Sequence, residues 1–142
     1  MKVHIVSPDE EHVGGYQRAE IKDGKFDLEV FADNECSFIL ASDCLDLLDY
    51  GQVKLFLVKI RQKLRMGGSA VVGGTDIRLL SRHIINGSID TESANNLLFN
   101  KRSCTDMSLV SDMLSELSLR IASTKISGVH YEVEALREVA PN

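Results

Sequence analysis

Apolar positions recur at helical spacing through Val53, Phe56, Leu57, Ile60 and Leu64, with Lys54, Lys59, Arg61, Gln62 and Lys63 filling the remaining surface. That is the pattern of an amphipathic helix with one buried stripe. The period breaks at Leu64-Arg65-Met66-Gly67-Gly68, and the apolar run Ser69-Ala70-Val71-Val72-Gly73-Gly74 follows. Glycine admits the left-handed backbone that ends many helices, and Lys63 and Arg65 sit where cations favour the negative helix end. The pattern predicts a helix, a stop at Gly67 and a buried strand over residues 70–73. A second short apolar run, residues 37–41, precedes the helix and leads into Ser42-Asp43-Cys44-Leu45-Asp46. Strand, loop, helix and strand in this order form a right-handed crossover of a parallel sheet, which carries ligands at the carboxyl ends of its strands.

Strands are also predicted over residues 3–6 and 16–21. Only residues 7–15 separate them, too few for an ordinary parallel crossover, so the first helix is expected to be reduced to a turn. Lys22-Asp23-Gly24-Lys25 is a turn signal, and residues 26–31 suit a short strand or an extended edge segment. Beyond residue 73, Thr75 or Asp76 can cap a helix with apolar positions Ile77, Leu80, Ile84 and Ile85, stopped at Asn86-Gly87. A short helix from Asp90-Thr91 to Phe99 follows. Another is capped by Thr105 or Asp106 and striped by Val110, Met113, Leu114 and Leu117. Residues 121–126 and 129–136 form a hairpin about Ser127-Gly128, the second arm alternating Val129, Tyr131, Val133 and Ala135 with polar neighbours. The expected architecture is one domain over residues 1–142. It is a minimal Rossmann-like α/β fold with a mostly parallel sheet and a C-terminal antiparallel hairpin. An edge strand or that hairpin is where a homodimer would pair.

The segment from Phe38 to Asp76 resembles the second half of class I S-adenosylmethionine-dependent methyltransferases. In that family a strand runs into a Ser-His-x-Leu-Glu-His-like loop, a helix ends in Arg-x-Leu-Lys-Pro-Gly-Gly, and the next strand leads to Pro-Asp. The matching strings are Ser42-Asp43-Cys44-Leu45-Asp46, Arg61-Gln62-Lys63-Leu64-Arg65-Met66-Gly67-Gly68 and Gly74-Thr75-Asp76. The opening, with Lys2-Val3-His4-Ile5-Val6 and Gly15-Tyr16-Gln17-Arg18-Ala19-Glu20-Ile21, is similar to the short, type-11-like branch of the family. The resemblance implies S-adenosylmethionine as cofactor, with Val6 and Ser7 at the loop after the first strand, Ser42 after the central strand, Glu20 on the ribose hydroxyls and Asp27 on the adenine amino group. It implies methyl transfer to a small-molecule or sugar-like acceptor. Asp43 and Asp46 follow the central strand, where side chains face the crevice of such a sheet, and are candidates to hold a substrate amine or hydroxyl or to act as a general base, with Asp46 alternatively capping the next helix. The chain departs from the family where Val6-Ser7-Pro8-Asp9-Glu10-Glu11 replaces a glycine-rich loop. Glycines let the backbone approach the cofactor, whereas Pro8 removes a donor and three acids oppose a carboxylate ligand. The competing expectation is therefore a non-catalytic binding or assembly module that kept the sheet and lost the cofactor site.

Composition narrows the classes. The 142 residues carry a formal charge of −5, which argues against sequence-independent nucleic-acid binding. Cys36, Cys44 and Cys104 are widely spaced and form no Cys-x-x-Cys pair, so neither a metal site nor a disulfide framework is expected, and a cytoplasmic setting is. No run of 18 apolar residues or signal-like leader appears, so no membrane partner is expected. Neither a phosphate-binding loop nor a Gly-x-Ser-x-Gly elbow occurs. Among the histidines, His83 on the expected lid helix is the one worth testing.

Overall fold

Alternation along Lys2–Val6 (β1) turns Val3 and Ile5 into the core and leaves Lys2 and His4 on the opposite face. The computed structural model describes residues 1–139. Gln17–Lys22 (β2) runs parallel to β1, and Lys25–Phe26 (β3) folds back antiparallel on β2. Cys36–Ala41 (β4) lies parallel on the other side of β1, followed by Leu64–Thr75 (β5), parallel to β4. Arg120–Ser127 (β6) and His130–Leu136 (β7) form the terminal hairpin, with β7 antiparallel to β5. The sheet order is β3-β2-β1-β4-β5-β7-β6. This is the expected mostly parallel α/β sheet with an antiparallel C-terminal hairpin.

Tyr50–Lys63 (α1) connects β4 to β5; Ile77–Ile85 (α2), Thr91–Phe99 (α3) and Met107–Glu116 (α4) lie between β5 and β6. Val53, Phe56, Leu57 and Ile60 of α1 and Val110 and Leu114 of α4 join Ile39, Val72 and Val133 in one buried cluster. Each later helix starts at an aspartate that accepts from its first-turn amides: Asp76 from Arg78 and Leu79, Asp90 from Ser93, Asp106 from Leu109. The first crossover has no helix, as its length dictated. Residues 7–16 form an exposed strap instead.

The expected stop at Gly67 requires correction. The helix ends at Lys63, because Leu64 is already extended and fully buried and enters the sheet directly. Gly67 does take a positive φ of 84°, but inside β5. There the pairing slips between Cys36–Leu64 and Phe38–Ser69. Gly67 N–H donates to Arg137 O at 2.6 Å and Arg137 N–H donates to Gly68 O at 2.9 Å, so the glycine serves a bulge. β5 is accordingly longer than residues 70–73. The 26–31 segment is also corrected. Asp23 and Gly24, with φ of 52° and 77°, make a two-residue hairpin turn that limits β3 to Lys25–Phe26, after which Leu28 and Phe31 turn into the core.

Candidate functional site

A cleft of about 340 Å³ opens at the carboxyl ends of β1, β2 and β4. Ser7 and Pro8 form its β1 side, and Lys22, Asp23 and Gly24 its β2 side. The far wall comes from Asp46 and Leu47 of the 3₁₀ turn Leu45–Leu47, with Asn100 and Arg102 above. The hairpin turn is pressed onto the start of α1: Asp49 N–H donates to Gly24 O at 2.9 Å. A Cβ on Gly24 would lie 2.2 Å from the Asp49 carboxylate, and its φ of 77° favours glycine there.

Asp46 is buried, and its carboxylate is engaged on every side. It accepts from Thr75 N–H at 2.9 Å and Thr75 Oγ1 at 2.7 Å, and Lys101 Nζ stands 3.2 Å away. Gly74 beside it leaves no room for a Cβ, which would fall 2.8 Å from an Asp46 oxygen. Asp46 O accepts from Arg102 N–H at 3.0 Å, and Ser103 Oγ donates to Leu48 O at 2.8 Å. The residue braces the end of β5 and the segment 100–103 against the 3₁₀ turn. The N-cap of α1 falls to Asp49, not Asp46.

Asp43 is exposed at the top of the sheet, with Oδ1 3.5 Å from His130 Nδ1, while His130 Nε2 is 2.9 Å from Ser42 O. Desolvation by the surrounding loops raises the Asp43 pKa above the usual carboxylate value, against the pull of His130. Ser42 lies at the foot of this pair. Any Cβ on Gly73 would come 2.4 Å from its carbonyl oxygen, so the strands approach closely here.

The other expected residues are dispersed. Val6 is buried behind the cleft, and the Ser7 hydroxyl donates to Glu10 Oε1 at 2.9 Å. Glu20 does not end its strand, which continues to Lys22; it pairs with Arg18 at 2.9 Å and does not line the cleft. Asp27 accepts from Glu29 N–H at 2.9 Å, closing a local turn outside the cleft. Cys44 Sγ donates to Ile5 O, and burial pushes its pKa to about 12. Asp23, Asn100, Arg102 and His130 were not foreseen as site residues. Asp23 alone left a signal, an acid immediately after the second strand, masked by its reading as a turn. Among the described residues no group of three His, Cys, Asp or Glu side chains could hold a metal ion, and no helix is long and apolar enough to cross a membrane.

No protein-family model matches the sequence, and no curated protein matches it. Solved structures do resemble it. An S-adenosylmethionine-dependent methyltransferase from Archaeoglobus fulgidus superposes with a TM-score of 0.59 at 11% identity, covering 95% of this chain and 85% of that one. A second, from Mesorhizobium loti, gives 0.61 at 12% identity over 92% of this chain and 72% of the other. The Burkholderia thailandensis 1,6-didemethyltoxoflavin-N1-methyltransferase, solved with bound 1,6-didemethyltoxoflavin and S-adenosylhomocysteine, gives 0.54 at 11% identity over 87% of this chain and 52% of that one. The likeness is one of fold: the chain has the class I methyltransferase fold.

Proposed function

We propose that the protein binds S-adenosylmethionine in the cleft at the ends of β1, β2 and β4 and transfers its methyl group to a small-molecule acceptor. The observation that carries the reading is the cleft's position. It opens at the carboxyl ends of the parallel strands around β1, where the strand order reverses, the place where open α/β sheets take their ligands. Its volume lies at the low end for small-molecule sites. The residues present fit the nucleoside half of the cofactor best. Asp23 would accept the ribose hydroxyls, a role transferred from Glu20, and Ile21 and Leu47 offer apolar surface for the adenine. Asn100 and Arg102 are donors left for the amino-acid end, the Ser7 hydroxyl being committed to Glu10.

Bound there, the sulfonium supplies an activated methyl group. The chain's part is then mainly alignment, which by itself can contribute several kcal/mol, up to roughly 7–11 kcal/mol in the best-oriented systems. Asp43, 3.5 Å from His130 and outside the lining of the cleft, would take a proton from an acceptor hydroxyl or amine. Asp46 keeps the floor of the site in place.

Calorimetry with S-adenosylhomocysteine tests the reading. A Kd near 1 μM, roughly −8 kcal/mol, is expected. Asp23→Asn should weaken binding about tenfold or more, while Glu20→Gln leaves it unchanged. Absence of heat at about 1 mM ligand would remove the transferase reading. The second reading, a non-catalytic module of the same fold, is favoured by one feature. The Arg18 guanidinium donates to the carbonyl oxygens of Ser7, Pro8 and Glu10, fixing a glycine-free loop where close backbone approach to a cofactor would otherwise occur.

A further inference from the structure

Parallel strands are ordinarily buried on both faces, yet α1 and α4 cover only one face of this sheet. On the other face the strap 7–16 crosses β1 and β2, with Val13 N–H donating to His4 Nδ1 at 3.0 Å and Tyr16 edge-on to Phe38. Past the strap, Phe38, Leu40, Val71, Glu132, Glu134 and Leu136 on this face of β4, β5 and β7 each keep part of their surface exposed. The register sets Leu40, Val71 and Glu134 side by side across these strands, with Phe38, Ser69 and Leu136 in the adjoining row. Glu132 lies opposite Gly73. Phe38, Leu40 and Val71 thus form a half-buried apolar floor bounded by Glu132 and Glu134, neither of which has an ion pair among the described residues. With strands about 4.8 Å apart, the floor is about 10 Å wide, the diameter of one helix with its side chains.

The chain carries an element of complementary character. On α2, Ile77, Ser81 and Ile85 follow one another at four-residue steps, Ile77 being 40% and Ile85 87% exposed. Arg78 and Arg82 run beside them, and all five line a shallow groove of about 630 Å³. Arg82 has no ion pair among the described residues, and Arg78, with 80% of its side chain exposed, has only Asp106 at 3.5 Å. The helix has nine residues, about 14 Å of length, which matches four residues of strand.

We propose that the half-buried floor of the sheet binds α2 of a second copy of this chain, reciprocally across a two-fold axis. Ile77 and Ile85 of one copy rest on Phe38, Leu40 and Val71 of the other, and Arg78 and Arg82 meet Glu132 and Glu134. Two copies of formal charge −5 repel in general, so a local pairing of opposite patches selects the orientation. One helix against one floor is small for a stable interface. Two such contacts related by the axis double the buried surface, as a stable pair of roughly 1,600 Å² requires more than one small patch. The hairpin enters the contact through the face of β7 and not through the edge of β6. The proposal is independent of methyl transfer.

Light scattering coupled to size exclusion, at about 100 μM protein, tests it. The wild-type chain should run at twice its monomer mass. Arg82→Glu and Glu134→Arg should each weaken the dimer about tenfold or more, and the double variant should restore it, because both reciprocal pairs are re-formed with their signs exchanged. Unchanged circular dichroism and melting temperature establish that each variant folds. A monomeric wild type overturns the proposal. So does a dimer that survives both single changes, or a double variant that stays monomeric. A dimer that dissolves only with Thr124→Pro on β6 assigns the pairing to the sheet edge and also overturns it.

Discussion

At the scale of single residues, the sharpest case is Asp46, whose carboxylate is held by the amide and hydroxyl of Thr75 and by Lys101. Asp46→Asn keeps the shape but removes the charge that Lys101 faces and places an amide donor among donors. Leaving such groups unpaired in a buried site should cost about 2–4 kcal/mol, read from urea unfolding. Thr75→Val should cost less, about 1 kcal/mol, and an unchanged midpoint for Asp46→Asn would mean that the brace does not exist. Cys44 offers a second check. With a pKa pushed to about 12 by burial, it should resist iodoacetamide at pH 8 in the native protein and react only on unfolding. Rapid native alkylation would show that the site opens. Positions were legible where strand order alone decides them, as with Ser7 directly after β1 and Asp43 just beyond β4. Asp46 was legible as a strand-end acid but not as a brace, because its donors come from β5 and the segment 100–103. Glu20 was misplaced for a simpler reason: its strand runs on to Lys22, and the acid next in line is Asp23.

At the scale of elements, Gly67 and Asp76 test how the pieces join. Gly67 has positive φ at the β5 bulge, held by reciprocal hydrogen bonds with Arg137. A β-branched side chain is poorly tolerated there, so Gly67→Val should destabilise by more than about 1 kcal/mol, and Gly67→Asn by less. Equal melting temperatures for the two variants would refute the requirement for positive φ. Asp76 serves two helices at once: Oδ1 accepts from Arg78 and Leu79 at the start of α2, and Oδ2 from Met107 at the start of α4. Asp76→Ala should therefore cost more than a single cap, about 2 kcal/mol, whereas Asp90→Ala, which frees only the end of α3, should cost about 1 kcal/mol. The helices were readable because their apolar period and aspartate caps are local signals. The full extent of β5 was not, since Arg65, Met66 and Gly67 break alternation at a bulge whose partner, Arg137, lies at the far end of the chain.

At the scale of the whole molecule, the two halves are built differently. From β4 to β6, helices intervene between the strands and cover one face of the sheet, and the core draws on α1, α4, β5 and β7. Before β4, the strands are joined by a strap and a tight hairpin, and no helix intervenes. The strap is tied to the sheet chiefly by Arg18, which donates to the carbonyls of Ser7, Pro8 and Glu10 and pairs with Glu20, and by the His4–Val13 bond. A region with exposed backbone and few covering side chains opens at lower free energy than a covered one. Native-state hydrogen exchange should therefore find β2 and β3 opening below β4, β5 and β7. Arg18→Met removes the tie while keeping a long apolar stem. It should lower protection in β1, β2 and the strap by about 1–3 kcal/mol and leave β5 and β7 as they are. An equal loss in every strand would show that the sheet opens as one cooperative unit, and the unequal division of the fold would then have no energetic counterpart.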